Sequence, residues 1–411
     1  MKSPSARKQL HATTDERERA YLVGVQRSAE RERWRAASSL QELAELARTA
    51  GAEVAGMTLQ RLDAPHPATY VGKGKLDEIK SRRGRSEADG GGYTMVIFDD
   101  ELSPSQQKNI EDALGVKVLD RTALILDIFA MRARTKEGRL QVDLAQTEYL
   151  LPRLKGQWSH LERLGGRSGS PGAIGVRGPG ETQIETDRRI ARRKIQKLKE
   201  QIEDIRQQRA LYRRRRQRDG IPVIALVGYT NAGKSTLMRA LTRDREVFVQ
   251  DQLFATLDPL TRRVYLDETH PALLTDTVGF IQKLPTQLVA AFRATLEELS
   301  DASVLLHVVD MTHPDAAGQA ATVEETLRDL GLADKPRITA LNKIDLLPGL
   351  DGAAADPAET AAIMSSSTAG IPDAVLISAE RRWGLDELRA RLIDVLDRVG
   401  VERAAVAAAT S

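Results

Sequence analysis

A short glycine-rich segment constrains the fold of this chain more than any other feature. The segment reads Gly228-Tyr229-Thr230-Asn231-Ala232-Gly233-Lys234-Ser235, which fits G-x-x-x-x-G-K-S, and it directly follows an apolar run at 221–227. A strand that leads through such a loop into a helix is the context of a phosphate-binding loop. The bland alternative is a glycine turn before an ordinary helix. The strand and the partner motifs below favour nucleotide binding.

The residue types of this loop follow from the chemistry of phosphate binding. Gly228 and Gly233 allow backbone geometry that a Cβ would obstruct, so successive N–H groups and the positive end of the next helix can face the phosphates. Lys234 is expected to reach the β- and γ-phosphates, and the Ser235 hydroxyl to ligate Mg²⁺. The loop residues predicted to bind the nucleotide are Gly228, Asn231, Ala232, Gly233, Lys234, Ser235 and Thr236.

Three later segments, each at the end of a predicted strand, complete a guanine nucleotide site. Asp276-Thr277-Val278-Gly279 supplies a carboxylate on the Mg²⁺ side and a backbone N–H for the γ-phosphate. In Asn342-Lys343-Ile344-Asp345, the Asp345 carboxylate can accept hydrogen bonds from N1–H and the exocyclic amine of guanine. Adenine has no such pair of donors, so this motif selects GTP. Ser378-Ala379 is placed to contact the guanine carbonyl through its backbone.

The composition of the chain limits the kinds of site and the cellular compartment that it can have. The chain has 411 residues, enough for two or three domains, and no cysteine. Disulfides, thiolate nucleophiles and cysteine-zinc sites are therefore excluded, and the scarcity of histidine leaves Mg²⁺ as the expected metal. No stretch approaches ~18 uncharged apolar residues, and the first residues do not resemble a secretory signal. These features predict a cytoplasmic protein, which we expect to be a monomer.

Five parts are predicted along the chain, with an α/β fold class. They are a charged mobile arm (1–36), a small α/β domain with a parallel sheet (37–134), a long antiparallel helical hairpin with a glycine-rich tip (135–219), the GTP-binding domain with a mostly parallel sheet (220–401) and a frayed tail (402–411). Within the small domain, Gly72-Lys73-Gly74-Lys75 is interpreted as a surface turn. A second phosphate site or a contact with RNA remains an alternative there.

The second helix of the predicted hairpin carries most of the excess positive charge. Between Glu181 and Arg218 there are 14 Lys or Arg against 6 Asp or Glu. A basic element on a near-neutral body indicates contact with a polyanion, although a solvated helix face is the plain alternative. The predicted RNA contacts are Arg188, Arg189, Arg192, Arg193, Lys194, Arg213, Arg214, Arg215 and Arg216.

Motifs outside the general GTPase set resemble the HflX family of translation-related GTPases. They include the stretches 175–189, Phe254-Ala255-Thr256-Leu257-Asp258-Pro259, 276–285 and 288–292, and the likeness covers about residues 40 to 400. The resemblance implies a cytoplasmic GTPase that binds the large ribosomal subunit and separates stalled or idle ribosomes. It also places Thr256 in switch I, where it would complete the Mg²⁺ site, and adds Phe254, Ala255, Leu257 and Asp258 to the GTP-binding residues.

The residue after the Asp-x-x-Gly motif limits catalysis. Many small GTPases have a glutamine there to orient the attacking water, but this chain has Phe280, which can neither donate to water nor accept from it. No catalytic residue can be assigned from the sequence, and slow intrinsic hydrolysis with external stimulation is expected. The alternative role for Phe280 is packing under switch II, and both roles are compatible.

Two functional interpretations remain open at this stage. In the first, the GTP state of the enzyme drives ribosome splitting. In the second, the protein is a nucleotide-gated RNA-binding or anti-association module, and hydrolysis only recycles it. Binding of a second nucleotide by the N-terminal domain would have only 72–75 in its support.

Overall fold

The computed structural model describes residues 18–27, 36–83, 92–154, 179–218, 220–242, 253–284, 299–347 and 374–410. Two sheets organise these residues, one of four strands and one of six. Helices pack on both sheets, so the central strands are buried and read as apolar runs in the sequence. This is the predicted α/β class.

The four-stranded sheet belongs to the N-terminal domain. Its order is β2-β1-β3-β4, and every pair is parallel. The small parallel sheet predicted for this region is therefore confirmed. The elements are β1 (Arg19–Arg27), α1 (Ala36–Thr49), β2 (Glu53–Leu62), α2 (Lys73–Arg83), β3 (Met95–Phe98), α3 (Pro104–Leu114), β4 (Lys117–Asp120) and α4 (Arg121–Arg132).

Strand β1 corrects the prediction that residues 1–36 form a mobile arm. It lies inside the sheet between β2 and β3, and Ala20 to Val25 are all buried. The six residues 20–25 are apolar or glycine, but charged residues on both sides hid them from the composition of the whole segment. Because the strand packs on both faces, even so short a run contributes to two clusters of core residues. Residues 1–17 and 28–35 lie outside the described part.

The Gly-Lys-Gly-Lys segment is also corrected. Lys73, Gly74 and Lys75 form the first turn of α2 rather than a turn that precedes it. The Lys75 ammonium group donates to Glu78 at 2.6 Å and to Thr58 of β2 at 3.2 Å. Lys75 is therefore held by its own domain.

Two helices connect the domains, α5 (Lys136–Leu150) and α6 (Pro179–Arg218). Ion pairs join them: Lys194 with Asp143 at 2.6 Å, Lys199 with Glu148 at 2.9 Å and Arg209 with Glu137 at 2.7 Å. Leu198 of the predicted apolar seam is buried. Helix α6 begins at Pro179, earlier than the predicted start at 182–184. The glycine-rich tip and the predicted first helix beyond 154 lie outside the described residues.

The six-stranded sheet carries the phosphate loop. Its order is β10-β9-β8-β5-β7-β6, and only β6 runs antiparallel to its neighbour. The carboxyl ends of the parallel strands meet at one edge, where ligands bind in such sheets. The elements are β5 (Val223–Gly228), α7 (Lys234–Thr242), β6 (Leu260–Tyr265), β7 (Pro271–Asp276), β8 (Val304–Asp310), α8 (Ala316–Asp329), β9 (Arg337–Asn342), a 3-10 helix (Ile344–Leu346), β10 (Ala374–Leu376) and α9 (Leu385–Thr410).

The C-terminal end differs from the predicted tail at 402–411. Helix α9 continues to Thr410. The alanines that were interpreted as a frayed end are strong helix formers and prolong a helix that has already begun. Neither α9 nor any other helix in the described ranges is long and apolar enough to cross a membrane.

Candidate nucleotide site

The phosphate loop leaves β5 at a position where only glycine fits. A Cβ on Gly228 would overlap the backbone oxygen of Val308 on the neighbouring strand β8. Gly233 has φ = 95°, and a Cβ there would overlap the amide of Asn342. The first and last glycines of the loop therefore let it pass close to β8 and to the guanine motif, as the sequence predicts.

Lys234, at the start of α7, points back into the loop. Its ammonium group donates to the carbonyl oxygens of Gly228 at 3.0 Å and Tyr229 at 2.7 Å. Burial lowers the pKa of Lys234 to about 8, against the opposite effect of the Asp276 carboxylate. A phosphate group in the loop would supply a further anionic partner and favour the charged lysine.

Three oxygen atoms converge beside the loop in the way that a magnesium site requires. Ser235 Oγ donates to Asp276 Oδ2 at 2.7 Å, and Thr256 Oγ1 lies 2.9 Å from both atoms. Asp276 Oδ1 is buried and has no hydrogen-bond partner among the described residues. Burial raises the pKa of Asp276. Such a set of hard oxygen ligands fits Mg²⁺.

Phe280 turns away from this pocket. Its side chain is 1% exposed and belongs to the apolar core, while its backbone joins the phosphate loop: Phe280 N–H donates to Gly228 O at 3.0 Å, and Thr230 N–H donates to Phe280 O at 2.8 Å. Gly279 is packed between the Thr230 backbone and the Lys234 ammonium group. The packing role weighed for Phe280 is thus present, and the water-orienting glutamine is still missing.

The guanine end of the site is held together by Asn342 at the end of β9. Its side-chain amide donates to Ala232 O at 2.9 Å, and its side-chain oxygen accepts from Ala379 N–H at 3.0 Å. Asp345 follows in the 3-10 helix, whose first residue, Ile344, donates from its N–H to Ile377 O at 3.4 Å, just before Ser378 and Ala379. Lys343, with φ = 68°, forms an ion pair with Asp310 at 2.7 Å. The two guanine motifs and the phosphate loop therefore form one connected edge.

Ten of the 22 residues predicted to bind GTP line a single pocket. Leu257 is buried in the core, Val278 packs with it, and the Asp258 carboxylate is bound by the N-terminal end of α5 instead. The pocket is lined by Thr230, Asn231, Gly233, Lys234, Ser235, Thr236, Phe254, Ala255, Thr256, Thr277 and Gly279.

A buried charge network joins this site to the N-terminal domain. Tyr229 donates through its hydroxyl to Glu42 at 2.5 Å and accepts from Gln282 N–H at 2.9 Å. Glu42 pairs with Arg121, which is 1% exposed and pairs with Asp99 at 2.8 Å. Burial alone would lower the pKa of Arg121, but the two carboxylates hold it above its ordinary value.

The same network returns to the segment that follows Phe280. Lys283 contacts Asp99 and Asp100 at 2.7 Å each. Burial, with the neighbouring Glu42 carboxylate, raises the pKa of the Tyr229 hydroxyl, so it is protonated and able to donate. Sequence reasoning missed these residues because the contacts between them join positions 22 to 187 apart. The sequence feature that could have indicated this network is the tyrosine inside the phosphate loop, Tyr229.

The buried His307 makes the stability of the GTP-binding domain depend on pH. It is 3% exposed on β8, and burial, with the positive charges of Arg337 and Lys234, lowers its pKa to about 4. As pH falls below about 6.5 the unfolded chain takes up this proton first, so stability that is complete above pH 6.5 is lost progressively towards pH 4.

We expect His307 to contribute about 2 to 3 kcal/mol to the fall in unfolding free energy between pH 7 and pH 4.5. The measurement is urea unfolding at both pH values, for the wild type and for His307→Gln. Titration of the carboxylates is common to both proteins and cancels in the difference. An equal fall in the two proteins would contradict the assignment.

Three protein-family models match the chain in succession. Residues 37–130 match a model described as the N-terminal region of a GTP-binding GTPase, and residues 132–216 match the middle region of the same kind of protein. Residues 223–343 match a model described as a 50S ribosome-binding GTPase.

Curated relatives match over most of the chain. It is 49% identical to the GTPase HflX of Caldanaerobacter subterraneus subsp. tengcongensis, over 93% of this chain and 81% of the relative. It is 42% identical to the GTPase HflX of Escherichia coli (strain K12), over 84% and 79%. Among solved structures it is similar to a GTP-binding protein from Sulfolobus solfataricus in complex with GDP, with 26% identity, 93% and 99% coverage and a TM-score of 0.44.

The fold and the site define a P-loop GTPase preceded by a parallel α/β domain and a pair of helices. Both of these relatives, at 49% and 42% identity over most of the chain, are HflX GTPases. The chain belongs to the HflX family of GTPases, and its reaction is the hydrolysis of GTP to GDP and phosphate. When Mg²⁺ is bound, Ser235 and Thr256 would hold it, and the ion would neutralise negative charge on the phosphates.

Proposed function

We propose that this GTPase binds the large ribosomal subunit and, in its GTP state, separates stalled or idle ribosomes into subunits. Its hydrolysis is slow alone and is stimulated by the ribosome, and the protein acts in the cytoplasm as a monomer. The match of residues 223–343 to a family of 50S ribosome-binding GTPases supports the partner. The missing glutamine at Phe280 supports the need for stimulation.

Within the chain itself, the basic face of α6 is the observation that supports a ribosomal partner. Arg189, Arg192 and Arg193 are exposed. Lys194 is also exposed but pairs with Asp143, and Arg188 is half-buried. Exposed guanidinium groups on one helix suit the phosphates of RNA, which give affinity and steep salt dependence without reading a sequence. The side chains of Arg213 to Arg216 lie outside the described residues.

We expect the double variant Arg192→Glu/Arg193→Glu to bind large ribosomal subunits at least about tenfold more weakly at physiological salt, because two cations are replaced by anions. Co-sedimentation with large subunits in the presence of a non-hydrolysable GTP analogue measures this. The control Arg328→Glu/Arg398→Glu makes the same change in net charge at exposed residues of α8 and α9. Equal binding by the two variants would show that this part of α6 does not belong to the interface with the ribosome.

The alternative function is a nucleotide-gated RNA-binding or anti-association module in which hydrolysis only recycles the factor. One round of ribosome splitting with a non-hydrolysable analogue separates the two. The proposed function predicts that the round proceeds and only turnover is lost, because the GTP state alone separates the subunits. A module that only binds RNA or blocks reassociation leaves intact ribosomes whole in that round, and hydrolysis-driven separation would fail in it too. The oxygen set at Ser235, Thr256 and Asp276 senses the nucleotide state in either case.

A further inference from the structure

The segment around Thr256 is held on both sides by elements outside the GTPase domain. We call residues 253–258 the switch I segment. On one side, the ring of Phe254 packs edge-to-face on Phe129 of α4, with 4.6 Å between the ring centres. On the other side, Asp258 binds the N-terminal end of α5. Thr256 lies two residues from each contact.

The contact of Asp258 with α5 is dense. One carboxylate oxygen of Asp258 accepts from the backbone N–H groups of Arg134 and Thr135, both at 2.9 Å, and the other accepts from the Thr135 hydroxyl. A carboxylate at a helix start also meets the positive end of the helix dipole. Hydrogen bonds to a charged acceptor are about twice as strong as neutral ones.

Residue 138 leaves room for this carboxylate. A Cβ on Gly138 would overlap Asp258 Oδ1. Thr135 already caps α5 locally, since its hydroxyl oxygen accepts from Gly138 N–H at 2.9 Å. The helix therefore has its own cap, and Asp258 is a second, long-range partner at the same end. Because α5 does not need Asp258 as its cap, this contact instead holds the switch I segment, to which Asp258 belongs.

The contact of Phe254 with Phe129 also constrains the backbone of the switch I segment. Its φ is 56°, in the left-handed region that bulky residues rarely adopt, and its side chain is 2% exposed. Such a conformation persists only where surrounding contacts offset its cost. The packing on Phe129 provides that offset.

We propose that Asp258 is a positioning residue for the GTP-bound state. By binding the N-terminal end of α5 it fixes the switch I segment, so that the Thr256 hydroxyl remains beside Ser235 and Asp276. The helical pair thus supports the GTP-bound form of the enzyme from within the same chain. This inference goes beyond the proposed ribosomal function and does not depend on it.

The expected consequence is selective for the triphosphate. Thr256 Oγ1 lies 2.9 Å from Ser235 Oγ and from Asp276 Oδ2, the atoms expected to meet Mg²⁺ beside the γ-phosphate. GDP lacks that phosphate, so its binding depends on the phosphate loop and the guanine motifs and does not require switch I. Loss of the contact between Asp258 and α5 therefore weakens the binding of GTP more than the binding of GDP.

The test compares the affinities of a non-hydrolysable GTP analogue and of GDP in Mg²⁺ without ribosomes. We expect Asp258→Ala to lower the ratio of the two affinities about tenfold, with GDP affinity within about twofold of wild type. Gly138→Ala displaces the carboxylate from the other side, and it is expected to lower the same ratio. It also keeps the test decisive if Asp258→Ala folds poorly.

The control is Glu148→Gln, which removes the ion pair with Lys199 on α6 but does not touch Asp258. It is expected to leave the ratio unchanged. A wild-type ratio in Gly138→Ala, or an equal loss in Glu148→Gln, would overturn the proposal. In the second case, general packing of the helical pair would explain the effect.

Discussion

We expect the Asp345→Ala variant to bind GTP about 100-fold more weakly than the wild type, or weaker still. The carboxylate can accept two hydrogen bonds from the guanine edge, and hydrogen bonds to a charged group contribute about 1.5 to 3 kcal/mol each. Every 1.4 kcal/mol is about tenfold in affinity. Calorimetric titration of the nucleotide-free protein with GTP and with ATP measures the loss.

Asp345→Asn is the matched control for this prediction. Its amide oxygen can still accept from N1–H, but its amide N–H₂ faces the guanine amine, and two donors cannot pair. Xanthine carries an oxygen at that position, so this variant is expected to prefer xanthosine triphosphate to GTP. Unchanged GTP affinity in both variants would exclude Asp345 from base recognition and would remove the basis for selecting GTP.

The Arg121→Ala variant is expected to lose about 3 to 5 kcal/mol of unfolding free energy. The cause is the loss of the guanidinium group between two largely buried carboxylates, because Glu42 is left with the neutral Tyr229 hydroxyl and Asp99 with Lys283. Breaking a buried ion pair from one side costs this much because the remaining charge has lost its solvation and its partner. Urea unfolding followed by circular dichroism measures it.

Arg398→Ala is the comparison for this second prediction. Arg398 pairs with Asp394 four residues earlier, and both side chains are 57% exposed. Exposed pairs of this kind contribute about 1 kcal/mol at most. Similar losses in the two variants would show that the network around Arg121 is not a buried, tightly coupled unit.

The nucleotide site could be predicted from the sequence because its motifs are local. Gly228, Lys234 and Ser235 lie within eight residues of one another, and their chemistry dictates their spacing. Asp276 and Asp345 are recognisable because each follows an apolar strand that ends at the same edge of the sheet. Short-range spacing and strand ends therefore sufficed for the phosphate and guanine contacts.

The contacts between domains could not be predicted in that way. Tyr229 meets Glu42, and Asp258 meets Thr135, only because two separate sheets and a helical pair bring distant segments together. No periodicity links such positions. The arm assigned to 1–36 was wrong at residues 19–27 for a related reason, since charged neighbours on both sides masked the apolar run of β1. Composition over a window averages out a strand of nine residues.

These contacts make the nucleotide state of the site relevant to the rest of the molecule. The phosphate loop is joined to α1 through Tyr229 and Glu42, and the switch I segment is joined to α5 through Asp258. The basic helix α6 packs on α5. A path of direct contacts thus runs from the γ-phosphate side of the pocket to the surface that we propose for ribosomal RNA.

The most direct test of this account is the rate of GTP hydrolysis with and without purified large ribosomal subunits. Because Phe280 cannot orient water, the account predicts slow turnover alone and at least about tenfold stimulation by the subunits. The Arg192→Glu/Arg193→Glu variant should keep the slow rate and lose most of the stimulation. Fast turnover without ribosomes, or no stimulation of the wild type by saturating subunits, would contradict the central claim.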